Sequence, residues 1–353
     1  MTRELLQSRS QPDVERLQEI ADPEAFIWRI LPHAARTFAA CITLLPAESA
    51  RTAAVAYLYC RILDTYEDLI SQPAEREQAL AEFSRRFRLE NGAAPKPAPR
   101  IAAERARDQR DRTHVVLVNR CHLVDEVFRT LTPHARRNIV DLVESMASGM
   151  IWSSTAFRDQ GGVLRDGDQL SRYCRNVIGR PFLYAARLLL EQRTGNGTLS
   201  EQLREDCLAA GEMVQLANVT RDIEKDLRRG IAYHPALRAD LGRSDLEDPD
   251  LRERIRGVRE QLLVRALHLA PAYERMMQAM PFRAISLTRA SGVLMLLFTD
   301  RYFRSCARLV GRAPWPGPRS TISLMLLSPY HVVSARQSAK TVRRITERFL
   351  RFA

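Results

Sequence analysis

The sequence predicts an all-α fold, organised as a single helical bundle. Of its 353 residues, 45% are hydrophobic, while only 15 are glycine and 18 are proline. This composition can supply a large core but lacks the glycine typical of nucleotide-binding loops and β-sandwiches. Apolar residues also recur with helical spacing from about residue 20 to residue 310. Long helical patterns joined by short connections indicate a bundle.

Turn and breaker residues divide this periodic region into nine predicted helices. The breakers lie at 91–99, 161–162, 195–197, 231–250 and 312–319. The predicted helices lie at 22–44, 47–72, 74–90, 103–131, 134–157, 168–193, 199–229, 251–279 and 281–310. Because no linker separates two groups of helices, we expect one helical domain over 1–353.

The formal net charge of +12 arises from 54 Lys and Arg against 42 Asp and Glu. Nucleic acid, an anionic membrane surface or a polyanionic small molecule would each fit this excess. Nucleic acid is disfavoured, because no helix-turn-helix, aromatic stacking motif or concentrated basic face is visible. The basic tail at about 330–353 is expected to form one amphipathic helix, either solvated or in peripheral contact with an anionic membrane.

The six cysteines are scattered singly, mostly within apolar runs, which predicts buried reduced thiols rather than disulfides or zinc. The N-terminal segment lacks an apolar core of the secretory type, and the longest apolar run, 292–298, is far shorter than the roughly 20 residues of a membrane span. We therefore expect a cytoplasmic protein, whose only membrane contact would be peripheral, on the inner face.

A first acidic stripe lies on the predicted helix 47–72, which is otherwise apolar almost all round. At 0, +4, +7 and +11 on one face of this helix stand Tyr57, Arg61, Asp64 and Asp68. Carboxylates one turn apart repel, and Arg61 cannot by itself neutralise Asp64, Asp68 and the neighbouring Glu67. The stripe therefore predicts a further cation.

A second stripe lies on the predicted helix 199–229. At 0, +3, +7 and +11 stand Gln215, Asn218, Asp222 and Asp226. Three turns of helix span about 12 Å, comparable to a diphosphate with its ions. Carboxylate and carboxamide oxygens suit Mg²⁺, with Mn²⁺ as the alternative ion. Either stripe alone is more often a solvated ion-pair ladder, but two such stripes, each with an arginine (Arg61, Arg221), favour a metal–diphosphate site.

Four segments, in order, resemble the motifs of the squalene/phytoene synthases, which join two prenyl diphosphates head to head. They are Ala35-Arg-Thr-Phe-Ala39, Arg61-Ile-Leu-Asp-Thr-Tyr-Glu-Asp68, Tyr173-Cys-Arg-Asn-Val-Ile-Gly179 and Gln215-x-x-Asn-x-x-Arg-Asp-x-x-x-Asp226, the last followed by Arg228-Arg-Gly-Ile-Ala-Tyr-His-Pro235. They cover about residues 30–235. The Leu-Asp-Thr-x-Glu-Asp form is closer to squalene synthases, and the chain resembles bacterial members that have no C-terminal membrane helix.

The resemblance implies a class I isoprenoid synthase-like bundle around a central cavity. Across it, the metal ligands Asp64, Glu67 and Asp68 would face a second set, Asn218, Asp222 and Asp226. The implied substrate contacts are Arg36, Arg61 and Arg221 on phosphate oxygens, with Tyr57, Gln215 and Tyr173 lining the pocket. Tyr173 would also relay a proton, and it is the implied catalytic residue together with Asp64, Asp68 and Asp222.

The implied reaction is Mg²⁺-dependent condensation of two farnesyl diphosphates to presqualene diphosphate, and on to squalene or a related C30 product. NADPH use is left open because no glycine-rich cofactor loop is visible. Substrate chain length and oligomeric state are also left open.

The sequence departs from the family pattern at Lys225, where a Glu is usual, at Leu69, where squalene synthases commonly have a second Asp, and at Arg180-Pro181. Three alternatives follow. A phytoene-type synthase would use geranylgeranyl diphosphate, and a terpene cyclase would share the Asn-x3-Asp-x3-Asp spacing. A non-catalytic assembly protein of the same family is supported best by Lys225.

Overall fold

The computed structural model describes residues 12–35, 37–87, 95–195, 197–243, 245–317 and 320–353, apart from the side chains of 321–322. Regular structure in these ranges is helical, and the only β-type pairing described there is an isolated parallel bridge between Val163 and Ala232. The predicted all-α class is confirmed.

The α-helices of the described part are, in chain order, α1 (Val14–Glu19), α2 (Pro23–Ala35), α3 (Thr37–Thr43), α4 (Ala47–Leu69), α5 (Pro73–Arg85), α6 (Gln109–Asn119), α7 (Cys121–Thr130), α8 (Pro133–Asp159), α9 (Gly167–Cys174), α10 (Arg180–Thr194), α11 (Glu201–Arg228), α12 (Pro249–His268), α13 (Ala270–Ala279), α14 (Leu287–Leu309), α15 (Thr321–Leu326), α16 (Ser328–Val333) and α17 (Ala335–Phe352). A π-helical turn, Arg175–Gly179, joins α9 to α10, and 3-10 turns lie at Ala103–Arg105 and Pro235–Asp240.

The chain divides into two compact units, 1–154 and 155–353, with the division inside α8. A single domain over 1–353 stays a prediction.

In the first unit α4 is the central helix and packs against α2, α6 and α5. Its Tyr59 and Tyr66 are fully buried in an aromatic cluster with Phe83. The Tyr59 hydroxyl donates to Asp125 at 2.7 Å, which satisfies the polar end of the ring inside the core. Contacts of this kind fix the rotation of α4 about its axis and so determine which face carries the acidic stripe.

In the second unit α11 is central, packed by the π-helical turn and by α10, α12 and α13. Ser200 caps its N-terminus by accepting from the Leu203 N–H at 3.2 Å. Leu216, Ile223 and Leu227 are buried along its length. This packing fixes the face on which the second stripe lies.

Two long predicted helices are interrupted, and a third is widened. The 103–131 helix is split between α6 and α7 at Asn119, whose side chain bonds both the N–H and the C=O of Ile101, at 3.0 and 2.9 Å. The 251–279 helix breaks at Leu269, because Pro271 offers no N–H to continue the ladder. The 168–193 helix is continuous but widens at the π turn, where the Arg180 N–H donates to Arg175 just before Pro181.

Other boundaries shift by a few residues. The predicted helix 281–310 begins later, at Leu287, where the Ser286 hydroxyl caps α14. The predicted tail helix is α17, preceded by the short α15 and α16. Part of the predicted helix 74–90 lies outside the described residues.

All six cysteines are buried, as predicted, and none is in a disulfide. Burial raises the pKa of the Cys41 and Cys60 thiols well above their usual range, which keeps them protonated and unreactive. Among the described residues, no helix combines the length and the apolar content needed to cross a bilayer.

Glycine is required where α11 crosses the π-helical turn. A Cβ added at Gly211 would lie 2.5 Å from Gly179 Cα and 2.6 Å from Gly179 N, which are backbone atoms that cannot move aside. This close approach of the two backbones explains why the Tyr-Cys-x-x-Val-x-Gly segment ends in glycine, at Gly179.

We expect Gly211→Ala to destabilise the protein by about 1–3 kcal/mol, because it overpacks two backbones. The matched control is Gly257→Ala in α12, where an added Cβ meets nothing within 4 Å. That substitution should stabilise the helix by about 0.5–1 kcal/mol. Thermal melts of both variants measure the difference. Equal melting temperatures would contradict the close approach.

Candidate functional site

The first stripe lies on the half-buried face of α4, in the first unit. Val55, Leu58 and Ile62 on the other faces of the helix are fully buried. The stripe residues are all of intermediate exposure: Tyr57, Arg61, Asp64, Glu67 and Asp68. The predicted separation of a packing side from a polar side is therefore present in the structure.

Arg61 lies at the centre of this stripe. Its Nη2 donates to the Tyr57 hydroxyl at 2.7 Å, and its Nη1 lies 3.1 Å from Asp64 Oδ2. The guanidinium also stacks 5.7 Å from the centre of the Tyr57 ring, which itself lies 5.6 Å from the ring of Phe38. The structure thus brings Tyr57, Arg61 and Asp64 together, as the helical spacing predicted.

The surroundings of the Asp64 carboxyl group disfavour its charged form. Burial raises the pKa of Asp64 to about 6, and repulsion from Asp68 adds to the rise while Arg61 and Arg110 oppose it. The Nε of Arg61 is buried and finds no hydrogen-bond partner within the described part of the chain. A row of half-buried carboxylates beside an unused guanidinium donor suits a cation and a phosphate oxygen together.

The second stripe lies on α11, in the second unit. Gln215 and Asp226 are buried, and Asn218 and Asp222 are half-buried. The Asn218 amide nitrogen donates to Gln215 Oε1 at 3.0 Å, which leaves the amide oxygen of Asn218 as the acceptor of that side chain. An amide oxygen and two carboxylates on successive turns form a row of oxygen donors.

Each aspartate of this second row is held by an arginine. Arg221 binds Asp222 through two bonds, at 2.8 and 2.6 Å, and stacks 5.3 Å from the centre of the Tyr302 ring. Arg229 lies 3.6 Å from Asp226. The first and second stripes therefore share one design, in which an arginine of the same helix or its end accompanies each row of acids.

Tyr173 lies in the second unit, where it is buried and accepts a hydrogen bond from the Tyr233 hydroxyl at 3.0 Å. The two rings lie 4.9 Å apart, and Tyr233 also contacts Phe157 edge-on. Tyr233 further lines a small pocket together with Asp226 and apolar side chains of α11 and α12.

The backbone just before Tyr233 is held by the β-bridge between Ala232 and Val163. The Ala232 N–H donates to Gly162 at 2.9 Å, and the Leu164 N–H donates to Ala232 at 3.1 Å. Gly162 has a φ of +85°, and a Cβ there would lie 2.3 Å from the carbonyl oxygen of Gly230. The 161–162 turn, which the sequence marked only as a breaker, and the Gly230 turn of the quoted motif thus position Tyr233 against Tyr173.

Sequence reasoning missed three residues of these surroundings: Arg110, Tyr233 and Tyr302. Tyr233 was in a quoted motif, Arg-Gly-x-x-Tyr-x-Pro, but was not assigned a role. Arg110 and Tyr302 approach from other helices, so no spacing along α4 or α11 could have indicated them. Arg36 lies outside the described residues, and its predicted phosphate contact stays a prediction.

Lys225, the main departure from the family pattern, is exposed on α11. Its neighbour Glu224 does not replace the missing acid, because it forms a bidentate ion pair with the buried Arg259, at 2.6 Å for both bonds.

The donor set of each stripe fits a hard divalent ion bound jointly with phosphate. Within the described ranges no group of three or more His, Cys, Asp or Glu side chains forms a metal cage by itself. Mg²⁺ commonly binds through one or two carboxylates together with substrate phosphates and waters. Carboxylates with an adjacent, incompletely used arginine match that mode of binding.

A family model described as squalene/phytoene synthase matches residues 31–319 of the chain. Among curated proteins, a squalene synthase of Botryococcus braunii is 28% identical over 212 residues, covering 58% of this chain and 40% of that protein. A squalene synthase of Ganoderma lucidum is 28% identical over 214 residues, covering 59% and 42%, respectively. One of Bos taurus is 24% identical over 208 residues, covering 59% and 45%. The matched region thus spans less than half the length of each of these relatives.

Solved structures resemble the chain over nearly its whole length. A complex of TcSQS with the ligand E5700 has a TM-score of 0.70 at 17% identity, covering 94% of this chain and 92% of that chain. A dehydrosqualene synthase in complex with a ligand has a TM-score of 0.54 at 15% identity, covering 96% and 99%. At these identities the likeness is one of fold.

Proposed function

Because the chain belongs to the squalene/phytoene synthase family, we propose that it joins two molecules of farnesyl diphosphate head to head. The product is presqualene diphosphate, and then squalene or a related C30 compound. The observation that carries this proposal is the pair of half-buried acidic rows, each accompanied by arginine. Two such rows suit two substrate molecules, because each prenyl diphosphate carries its whole charge on the diphosphate group.

We assign Mg²⁺ binding to Asp64, Glu67 and Asp68 on α4, and to Asn218, Asp222 and Asp226 on α11. When bound, Mg²⁺ stabilises the negative charge of the departing diphosphate. Mn²⁺ prefers the same oxygen donors and is the expected substitute.

The arginines of the two rows bind phosphate oxygens. Arg61 has an unused Nε donor, and Arg221 is partly exposed beside Asp222. On substrate binding Arg61 donates from this Nε and Arg221 from its exposed edge, because arginine forms charge-assisted hydrogen bonds to phosphate as it does to carboxylate. Arg36 is proposed for the same role.

Tyr57 and Gln215 line the pocket, and Tyr173 handles the proton. Loss of diphosphate from one prenyl chain leaves an allylic cation, which alkylates the double bond of the second chain. A proton is then lost as the cyclopropane ring closes. The Tyr173 oxygen takes up that proton while its own hydroxyl proton passes to the diphosphate already released, and the Tyr233 hydroxyl orients the Tyr173 hydroxyl.

The test is to incubate the full chain with farnesyl or geranylgeranyl diphosphate, with and without NADPH, and to identify the lipids by mass. We expect C30 products from farnesyl diphosphate only, lost with EDTA and restored by Mg²⁺ or Mn²⁺. Presqualene diphosphate should accumulate without NADPH if the second half-reaction is a reduction.

Other outcomes identify the alternatives. A C40 product from geranylgeranyl diphosphate indicates a phytoene-type synthase, and C15 products indicate a terpene cyclase. If no product forms and a non-hydrolysable farnesyl diphosphate analogue gives no Mg²⁺-dependent thermal shift, the proposal is wrong. A non-catalytic assembly role, consistent with the exposed Lys225, then replaces it.

A further inference from the structure

The basic charge of the protein is concentrated in one part of the chain. Between Glu274 and Glu347 the sequence has twelve Lys and Arg residues and a single acid, Asp300. Asp300 is buried and already bound, by Arg304 at 3.0 Å and by the Trp315 indole at 2.8 Å. Nearly the whole net charge of +12 therefore comes from this segment.

The same segment carries most of the exposed apolar surface. Seven of the eight large apolar side chains exposed in the described residues lie in it, and six of these seven lie at two places near each other. They are Ile285 (69% exposed), Leu287 (41%), Leu326 (70%), Leu327 (37%), Tyr330 (66%) and Val333 (66%), which we call the apolar patch. A cluster of exposed apolar side chains on a highly charged protein is typical of an interaction site.

Hydrogen bonds hold the two halves of the apolar patch side by side. The Ser286 N–H donates to the Val332 carbonyl at 2.9 Å. The buried Arg289 guanidinium donates to carbonyls of both stretches, those of Arg283, Ala284, His331 and Val332, at 2.6 to 3.1 Å. The Arg289 side chain thus holds both backbone stretches in place, so the two halves of the apolar patch have a defined arrangement.

Exposed basic residues border this patch. Arg283 lies two residues before Ile285, while Arg336 and Lys340 follow Val333 on the first turns of α17. The opposite face of α17 is packed, with Val342, Ile345 and Phe349 buried. The helix therefore keeps its basic side in solvent, next to the apolar patch.

We propose that the apolar patch and its basic border form a docking surface for a membrane containing anionic lipid. Aliphatic side chains enter the boundary between headgroups and acyl chains, Tyr330 suits the interface, and the arginines and lysine attract anionic headgroups. Nucleic acid fits less well, because the patch offers one aromatic ring and five aliphatic side chains. A second copy fits less well too, because pairing two patches would bring like charges together.

This surface overlaps only in part with the one that the sequence suggested. The sequence assigned lipid contact to the basic tail at about 330–353, which includes Tyr330 and Val333, but Leu350 is the only large apolar side chain exposed on the tail helix α17. The helix α17 supplies charge, while the apolar contact precedes that helix in the chain, at α15 and α16 and the N-terminus of α14.

The test is co-sedimentation of the full chain with vesicles, without any prenyl substrate. Vesicles of phosphatidylcholine with about 30% phosphatidylglycerol should bind the protein, and neutral vesicles should bind it much more weakly. Binding should weaken between about 0.1 M and about 0.5 M NaCl, because salt screens the headgroup charge.

Two double variants, each compared with a control variant, locate the surface. Leu326→Asn combined with Val333→Asn should weaken binding about tenfold or more, since two apolar side chains are lost from the bilayer contact. The control is Leu309→Asn, an exposed leucine (53%) about 33 Å further along α14 from Leu287, which should bind like the wild type. Arg336→Gln with Lys340→Gln should also weaken binding by about tenfold or more, unlike Arg129→Gln with Arg256→Gln.

Three results would overturn the proposal. The first is no binding of the wild type to anionic vesicles. The second is equal binding of the patch variant and the Leu309 control, with thermal melts showing both folded. The third is a concentration-dependent dimer, seen by light scattering with the wild type and lost in the patch variant. That result would assign the apolar patch to contact with a second copy of the chain. None of these results depends on catalysis, so each of them leaves the proposed function untouched and tests only the docking surface.

Discussion

Replacing Asp64 or Asp222 with Asn should slow diphosphate release by about a thousandfold or more while leaving the helical fold intact. Each substitution keeps the shape of the side chain but removes a charged oxygen from one acidic row. A metal contributes several kcal/mol to a developing leaving-group charge, and a thousandfold loss corresponds to about 4 kcal/mol. The measurement is Mg²⁺-dependent release of diphosphate from farnesyl diphosphate, with circular dichroism to check the fold.

The matched control for Asp222→Asn is Glu224→Gln, two residues further along α11. Glu224 is bound to the buried Arg259 rather than placed in the stripe, so its substitution should lower the melting temperature without a comparable loss of rate. For Asp64→Asn, the exposed Asp141 on α8 supplies a charge-matched control, Asp141→Asn. Retained turnover in both stripe variants would exclude the proposed metal sites.

Much of the fold follows from local chemistry that is visible in the sequence. The helix α11 was expected at 199–229 and lies at Glu201–Arg228, because its apolar period is uninterrupted and Gly230 ends it. The split at Asn119 was not foreseeable, because it depends on bonds from that side chain to Ile101, eighteen residues earlier. The spacing of apolar residues predicts which face of one helix is buried. A break such as the one at Asn119 depends instead on a contact with another part of the chain.

The site divides in the same way. Contacts within one helix, such as Arg61 with Tyr57 and Asp64, follow from spacing alone. Contacts between segments do not: the Tyr233 hydroxyl reaches Tyr173 only because a β-bridge joins Ala232 to the 162–164 turn. The apolar patch was missed for a related reason, since its leucines and valine are ordinary core residues by sequence, and only the packing leaves them exposed.

The hydroxyl pair of Tyr173 and Tyr233 provides the second large prediction, because the two residues have different proposed roles. Tyr173→Phe removes the group that accepts the proton during ring closure. General acid–base groups contribute about 10²-fold to 10⁴-fold, so C30 formation should fall by at least about a hundredfold. Ionisation of the first substrate does not need that proton transfer, so diphosphate release should fall less than C30 formation. The ratio of released diphosphate to C30 product should therefore rise.

Tyr233→Phe keeps the ring contacts with Phe157 and Tyr173 but removes the donor that orients the Tyr173 hydroxyl. As a positioning residue it should lower kcat by about tenfold with KM unchanged, in line with the loss of one hydrogen bond. Tyr273→Phe separates this effect from stability. It removes a hydroxyl that donates to the Gly292 carbonyl at 2.7 Å, which should lower the melting temperature and leave the ratio of diphosphate to C30 product unchanged. If Tyr173→Phe instead behaves like Tyr273→Phe, Tyr173 is a core residue with a satisfied hydroxyl, and the proton must leave by another group.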